Sequence, residues 1–442
     1  MRVVIIGNSA AGTGALEAFR KWDRDSPVTV ISDETASLYS RCLLSYYMAD
    51  DIDQSRLAFR ARDFHKRLRA KVILGRKVEL VDPEKQHVIC DDGSKVGYDR
   101  LLIATGGSAK LPSNIPSNVD GVFVLRTIAD AEVIRRCIHS GKRAVVLGGG
   151  LVGMKAAFAL RKRGMEVTVV VRSPFVLSQM IDAGAARIVM ARLKEHGIET
   201  LTGADVSEVE SVKRHISAVK TAIVDSKGLE SSGKLQPCDL LVVAKGVTPN
   251  MQMVNGTEIQ CNRGIITNSK MQTSVENIYA AGDVAETYDI ATQQQSVNAL
   301  WTCAMQQGKI AGINMAGRAK DYDGSVGMNS INFPGVDLIS FGMVRPPENQ
   351  GYEVQTDGRA GARIYKKVVL KDNRIKGLVL VNRIDNAGVL LSLLSRKVDV
   401  TGIKSELLSD GFNFGRVLGS RGAAEQARYL KASQPTESYD EK

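Results

Sequence analysis

Two stretches of this 442-residue chain follow one plan, and together they leave few folds open. The first, RVVIIGNSAAGTGALEAFRK from Arg2, passes from β-branched apolar residues through the turn Gly7-x-Ser9-x-x-Gly12 into helical spacing. Serine stands where such turns usually carry their second glycine, and Ala10 follows it. The second stretch, RAVVLGGGLVGMKAAFALRKRG from Arg143, reads Gly148-x-Gly150-x-x-Gly153, with Val152 inside the turn. The glycines let backbone N–H groups approach a pyrophosphate, which then sits at the positive end of the following helix. One such turn says little. Two of them, each between a strand and a helix, predict two bound dinucleotides and an α/β fold with two Rossmann-like units.

The strand after each turn carries further information. VTVIS ends at Asp33 and Glu34, about twenty residues past the first turn, where a carboxylate accepts the ribose hydroxyls of an adenosine. EVTVVVRS ends instead in Val171-Arg172. An arginine in place of the acid is the arrangement that accommodates a 2′-phosphate, although one arginine could equally face solvent, so NAD(H) and NADP(H) both stay open. Three more apolar runs read as buried strands. YDRLLIATGG ends in Ala104-Thr105-Gly106, CDLLVVAKGVTPN turns at Gly246, and TSVENIYAAGDVAE ends in Gly282-Asp283.

From about Ser325 the pattern changes to alternating apolar residues around the turn KDNR, which predicts an antiparallel hairpin sheet, followed by a helical stretch GVLLSLLSRKVDV. These breaks divide the chain into residues 1–113 with 255–322, an inserted 114–254, an α+β segment 323–430 and a polar tail 431–442.

Hydrophobic residues at 44% and charged residues at 24% suit a globular protein rather than a disordered one. The net charge of +11 favours acidic or phosphate-bearing partners. Much of it crowds between Arg56 and Lys77, which reads as a solvated helix face. No groove-reading motif accompanies the charge, so nucleic acid is not an expected partner. Met1 leads directly into a strand and no long apolar run appears, so neither a signal peptide nor a membrane span is expected. The six cysteines form no C-x-x-C pair, which argues against an iron–sulfur cluster, a zinc site or a dithiol in this chain. Reduced thiols and a cytoplasmic location follow.

The five ordered motifs resemble those of the pyridine nucleotide–disulfide oxidoreductase superfamily over roughly the first 320 residues. The resemblance implies FAD in the first unit and NAD(P)H in the inserted one, with Asp283 bonding the flavin's ribityl chain. It implies that the helix in ALWTCAMQQGKIAGINMAG, from Ala299, sets its N-terminal end against the isoalloxazine. It also implies an interface role for the C-terminal domain, hence a homo-oligomer or a hetero-complex.

Cys42 lies where NADH peroxidases, NADH oxidases and coenzyme A disulfide reductases carry a redox cysteine, and Arg41 could lower its pKa. Yet Tyr39, Arg41, Leu44 and Ser45 equally resemble the Y-x-R-x-x-L-S of ferredoxin-reductase-like and nitrite-reductase-type modules. Ala10 replaces the peroxidase histidine, and LSDGFNFGRVLG lacks the Y-x-P-P-type segment of thiol-dependent members. Cys42 is therefore expected to be structural or merely flavin-adjacent, with a Cys42-dependent peroxide or disulfide reductase as the alternative. Where relatives pair a lysine and a glutamate near flavin N5, this chain has Tyr46 and Lys155, so Lys155 is the candidate cation there. The resulting expectation is an FAD-dependent NAD(P)H oxidoreductase exchanging electrons with an acidic iron–sulfur protein or subunit, in a setting such as a 2-oxoacid oxidoreductase.

Overall fold

The computed structural model describes residues 1–36, 38–224, 230–359, 361, 363–413, 415 and 417; the tail at 431–442 lies outside them. The described chain groups into two compact units, one of residues 1–179 and 189–327, the other of 180–188 with the chain from Met328 onward.

In the first unit, β1 (Val3–Ile6), β2 (Val28–Ser32), β3 (Ala70–Leu74) and β4 (Arg100–Ile103) are parallel. Val3, Ile5, Leu101 and Leu102 are at most 1% exposed, as strands covered on both faces must be. Between β1 and β2 runs α1 (Ala10–Trp22), and after β2 comes the short α2 (Leu44–Met48). A second parallel sheet consists of β5 (Val122–Val124), β6 (Arg143–Leu147), β7 (Glu166–Val171), β8 (Ile198–Thr202) and β9 (Leu240–Val243), in the order β8-β7-β6-β9-β5. Helix α3 (Ile128–Cys137) follows β5 and α4 (Leu151–Lys162) follows β6. The chain then returns to the first sheet with β10 (Ile278–Ala280), completing the order β10-β4-β1-β2-β3, and continues into α5 (Trp301–Met315).

Helices α1 and α5 cross at backbone contact. A Cβ on Gly308 or Gly312 would lie 2.1 or 2.2 Å from the carbonyl oxygens of Ala11 and Ala15. Only glycine permits that approach.

Two expectations shift in detail. The basic stretch from Arg56 is not one helix face: it holds a 3-10 turn Gln54–Leu57, a single turn Phe64–Arg67, and β3. Arg69 adopts a left-handed φ of 46°, which stops the helix, and the Val72-Ile73 pair then joins the sheet. Most of its cations are exposed, while Arg60 pairs with Glu17 at 2.8 Å. The late helix begins at Trp301 rather than Ala299, because Leu300 is extended.

The second unit is an antiparallel sheet of β11 (Met328–Phe333), β12 (Val336–Gly342), β13 (Glu353–Arg359), β14 (Ile364–Lys371) and β15 (Arg374–Val381), with α6 (Ala387–Ser395) packed on it. The KDNR turn joins β14 to β15, with Asp372 and Asn373 at φ 51° and 53°, the two left-handed residues that a tight hairpin turn requires. Neighbours on β14, Lys366 and Lys367 point to opposite faces and are both buried. Lys366 donates to Asp410 and to the Leu408 carbonyl at 2.9 Å. Lys367 donates to Asp182 at 2.8 Å, which also accepts from the Tyr365 hydroxyl at 2.7 Å. No helix among the described residues is long and apolar enough to cross a membrane.

Candidate functional site

The first glycine turn is built by collisions that any side chain would cause. Gly7 has φ +117°, and a Cβ there would lie 2.1 Å from the Ala104 carbonyl oxygen. A Cβ on Gly12 would lie 1.9 Å from the Gly7 carbonyl oxygen. Extended Ser9 caps α1 without using its side chain, and Ala10, the first helical residue, is buried. The N–H groups of that first turn thus face outward with no side-chain cap, the arrangement that receives a pyrophosphate. Asn8, inside the turn, is held by the His65 ring nitrogen at 2.8 Å.

Around the turn stands a linked set of charges. Asp33 is exposed; Glu34 is half-buried and accepts from Tyr39 and Arg41. Burial pushes the Tyr39 phenol well above the ordinary tyrosine value, so it stays a donor. Arg41 also donates to the Arg126 carbonyl at 2.8 Å. The Arg126 guanidinium in turn donates to Asp283 at 2.7 Å and to the Gly107 carbonyl at 2.9 Å. Asp283, expected at the ribityl chain, therefore lies within the same network as Arg41. Gly282 before it has φ +85° and donates its N–H to Gln307 on α5 at 2.8 Å. Buried Ala104 leads to Thr105 and Gly106, which are cross-linked to Asn250: the Thr105 hydroxyl donates to the Asn250 carbonyl at 2.8 Å, and the Asn250 N–H donates to the Gly106 carbonyl at 3.0 Å.

Arg126 escaped the sequence reading. Its one signal is its place just before the capping box Thr127-x-x-Asp130, whose Asp130 accepts from the Arg126 N–H at 2.9 Å.

The second turn repeats the first. Gly148 has φ +121° with a Cβ clash 2.3 Å from the Ala244 carbonyl oxygen, and a Cβ on Gly153 would lie 1.9 Å from that of Gly148. Gly150 and Gly246 face open space, with nothing within 4 Å of an added Cβ. Val152 is 47% exposed, and Arg172, just past β7, is exposed.

Helices α2 and α4 pack against each other. The Lys155 ammonium on α4 lies 5.3 Å from the centre of the Tyr46 ring on α2, a cation–π contact. Cys42 is exposed on the 3-10 turn Arg41–Leu43 leading into α2. Ala299 is exposed just ahead of α5. Cys303, in the first turn of α5, was not singled out either; burial pushes its thiol up to about 11, which makes it a poor nucleophile. Paired glycine turns, uncapped helix ends and flanking arginines fit a flavin dinucleotide beside a nicotinamide dinucleotide.

Residues 1–308 match the family model described as pyridine nucleotide-disulphide oxidoreductase. The chain belongs to this family. Residues 328–398 match the rubredoxin NAD+ reductase C-terminal domain. The NADH-dependent phenylglyoxylate dehydrogenase subunit epsilon of Aromatoleum evansii is 32% identical over 95% of this chain and 97% of its own. The NAD(P)H coenzyme A polysulfide/persulfide reductase of Pyrococcus horikoshii is 28% identical over 88% of this chain and 90% of its own. Among solved structures, the covalent putidaredoxin reductase–putidaredoxin complex shares the fold, with a TM-score of 0.81 at 24% identity over 90% of this chain and 94% of that one. The chain is an FAD-dependent NAD(P)H oxidoreductase. FAD, when bound, takes up electron pairs from the nicotinamide and can release them singly.

Proposed function

We propose that this chain passes electrons between NAD(P)H and a one-electron iron–sulfur carrier, as the nicotinamide-facing subunit of a larger complex such as a 2-oxoacid oxidoreductase. The observation that carries this reading is the end-to-end match with a dehydrogenase subunit, which covers 95% of this chain and 97% of the relative. A net charge of +11 supports an acidic carrier, since opposite charge speeds docking. Residues 1–113 and 255–322 form the FAD half, 114–254 the coenzyme half, and 323–430 the interface domain.

In this reading the α1 N-terminus, Arg41, Arg126 and Asp283 hold FAD, and the α4 N-terminus with Gly246 holds the coenzyme. Lys155, steadied on Tyr46, supplies positive charge where hydride transfer occurs. Lys155→Ala is expected to slow flavin reduction by about tenfold or more, as loss of an aligned charge does, with partial rescue in Lys155→Arg. Stopped-flow absorbance reads the rate, and an unchanged rate removes Lys155 from the site.

The exposed thiol of Cys42 favours a second reading, a thiol-dependent reductase like the persulfide reductase relative. Anaerobic titration with NADH and NADPH separates the two. The electron-transfer reading expects one electron pair per flavin, no long-wavelength thiolate-to-flavin band, and unchanged behaviour in Cys42→Ser. An extra pair taken up, with a band that disappears in Cys42→Ser, would establish the thiol reductase instead.

A further inference from the structure

Helix α2 has five residues, too few to be stable alone, so its place depends on what holds it. It packs against both α3 and α4. A seam of polar contacts runs from α2 and the residues after it to those two helices. Asp50 accepts from Arg135 on α3 at 2.7 Å with one carboxylate oxygen, and pairs through the other with Arg163, just past α4, at 2.6 Å. Arg135 also donates to the Tyr47 hydroxyl at 3.3 Å and lies 4.7 Å from the centre of the Tyr47 ring. Arg163 donates to the Met48 carbonyl at 3.3 Å. Lys162 pairs with Asp51, and Gln54 donates to Glu132 on α3 at 3.1 Å.

The backbone of Asp50 is a second, independent observation. The Asp51 N–H donates to the Tyr46 carbonyl at 2.9 Å and the Asp50 N–H to the Tyr47 carbonyl at 3.3 Å, the paired bonds that close a helix over a left-handed residue. That residue is Asp50, with φ 58°. Glycine adopts this conformation without strain and is the usual occupant. Glycine would end the helix equally well, so what aspartate adds is the carboxylate, and two guanidiniums engage it. The seam is also open to water. The Arg135 and Asp50 side chains are 38% and 40% exposed, and Tyr47, Glu132, Arg135, Arg136 and Arg163 line a cavity of about 390 Å³. Dissolved ions therefore screen these pairs.

We propose that Asp50, acting through Arg135 and Arg163, is a positioning residue that fixes α2 on the coenzyme half and so keeps Tyr46 aligned with Lys155 for flavin reduction. The proposal rests on α4 belonging to the coenzyme half and on Lys155 lying where hydride transfer occurs.

The test uses the purified holoenzyme. Asp50→Asn keeps the shape and the left-handed backbone, which asparagine also adopts, and removes the charge. Stopped-flow reduction against NADH and NADPH concentration separates the limiting rate from the dissociation constant. The limiting rate is expected to fall about three- to tenfold, the factor that two partly exposed ion pairs are worth, with flavin content and dissociation constant at wild-type values. Raising salt from about 0.05 to about 0.5 M should slow wild type towards the variant and leave the variant's limiting rate unchanged. Asp50→Gly should be as stable as wild type and as slow as Asp50→Asn, a split that a merely structural role would not give. Asp92→Asn, which removes an equal charge from the exposed Arg76 pair, should match wild type. Without coenzyme, amide hydrogen exchange over residues 44–51 should quicken in Asp50→Asn while that of β1 and β6 holds. A limiting rate that matches wild type would overturn the proposal. So would unchanged exchange over residues 44–51, or a slower rate matched by equally weakened coenzyme binding. Should wild type resist reduction by both coenzymes, the electron-transfer reading fails, while the exchange arm still decides whether Asp50 holds α2.

Discussion

Gly12→Ala is expected to purify without flavin, whereas Gly153→Ala should stay yellow but resist reduction by NAD(P)H. Each new Cβ would lie 1.9 Å from the carbonyl oxygen of the glycine that opens its own turn, and 3.0 Å from that carbonyl carbon. Both neighbours are backbone, so no rotamer change relieves the overlap; the helix has to lift from its strand. Overpacking of this kind costs roughly 1–3 kcal/mol of stability. The larger effect falls on binding, because the N–H groups of the first helical turn lose their common aim at the pyrophosphate. The ratio of visible to ultraviolet absorbance reports bound flavin, and anaerobic addition of coenzyme reports the second site. The pair of variants controls for misfolding, since Gly153→Ala retains an intact first turn. If both variants were yellow and fully reducible, the turns would not be the dinucleotide sites.

The second large effect concerns Asp182. Its carboxylate lies between the Lys367 ammonium and the Tyr365 hydroxyl, and Lys367 is only 8% exposed at its side chain. Asp182→Ala leaves that ammonium buried and unpaired, a loss of about 3–5 kcal/mol for one partner of a buried pair. Replacing Lys367 by Met in the same protein should restore much of it, because no buried charge then remains. Burial alone would raise the Asp182 pKa, but Lys367, Tyr365 and the Ala185 N–H outweigh it and hold the carboxyl below its ordinary value. A carboxylate with a depressed folded pKa adds stability that is present above its unfolded pKa, about 4, and is lost as pH falls through the folded one. Urea unfolding should therefore show the gap between wild type and Asp182→Ala at its widest near neutrality and narrowing below about pH 4. A gap that stays constant down to the folded value would mean the pair contributes packing and no charge.

The glycine turns were legible because each is a local constraint: three positions at fixed spacing that admit no Cβ. The hairpin was legible for the same reason, since KDNR carries its own turn geometry. What escaped depends on residues far apart in sequence. Arg126 gains its meaning from Asp283, 157 positions later, and nothing near Arg126 announces that partner. Lys366 and Lys367 look like ordinary exposed charges on a strand, yet Lys367 is buried against an acid 185 positions away. The basic run from Arg56 misled in the opposite sense: its composition suits a helix, but Arg69 and the Val72-Ile73 pair turn it into the sheet. Lys155 and Tyr46 were paired only through resemblance, and the structure brings them into contact.

The glycine crossing of α1 and α5 also sets a schedule for synthesis. Residues 10–22 pack against residues 301–315, and β4 waits for β10 at Ile278–Ala280. The second parallel sheet, in contrast, has all its strands by Val243. Of the two parallel sheets, the one that begins first is therefore finished second, and the inserted sheet can be complete on the ribosome while α1 still shows its small-residue face to solvent. From Val243 to Met315 is 72 residues, roughly 4–14 s at ordinary elongation rates. Over that interval the first turn already exists in sequence but lacks the helix that seats it, so flavin capture is expected to wait for α5.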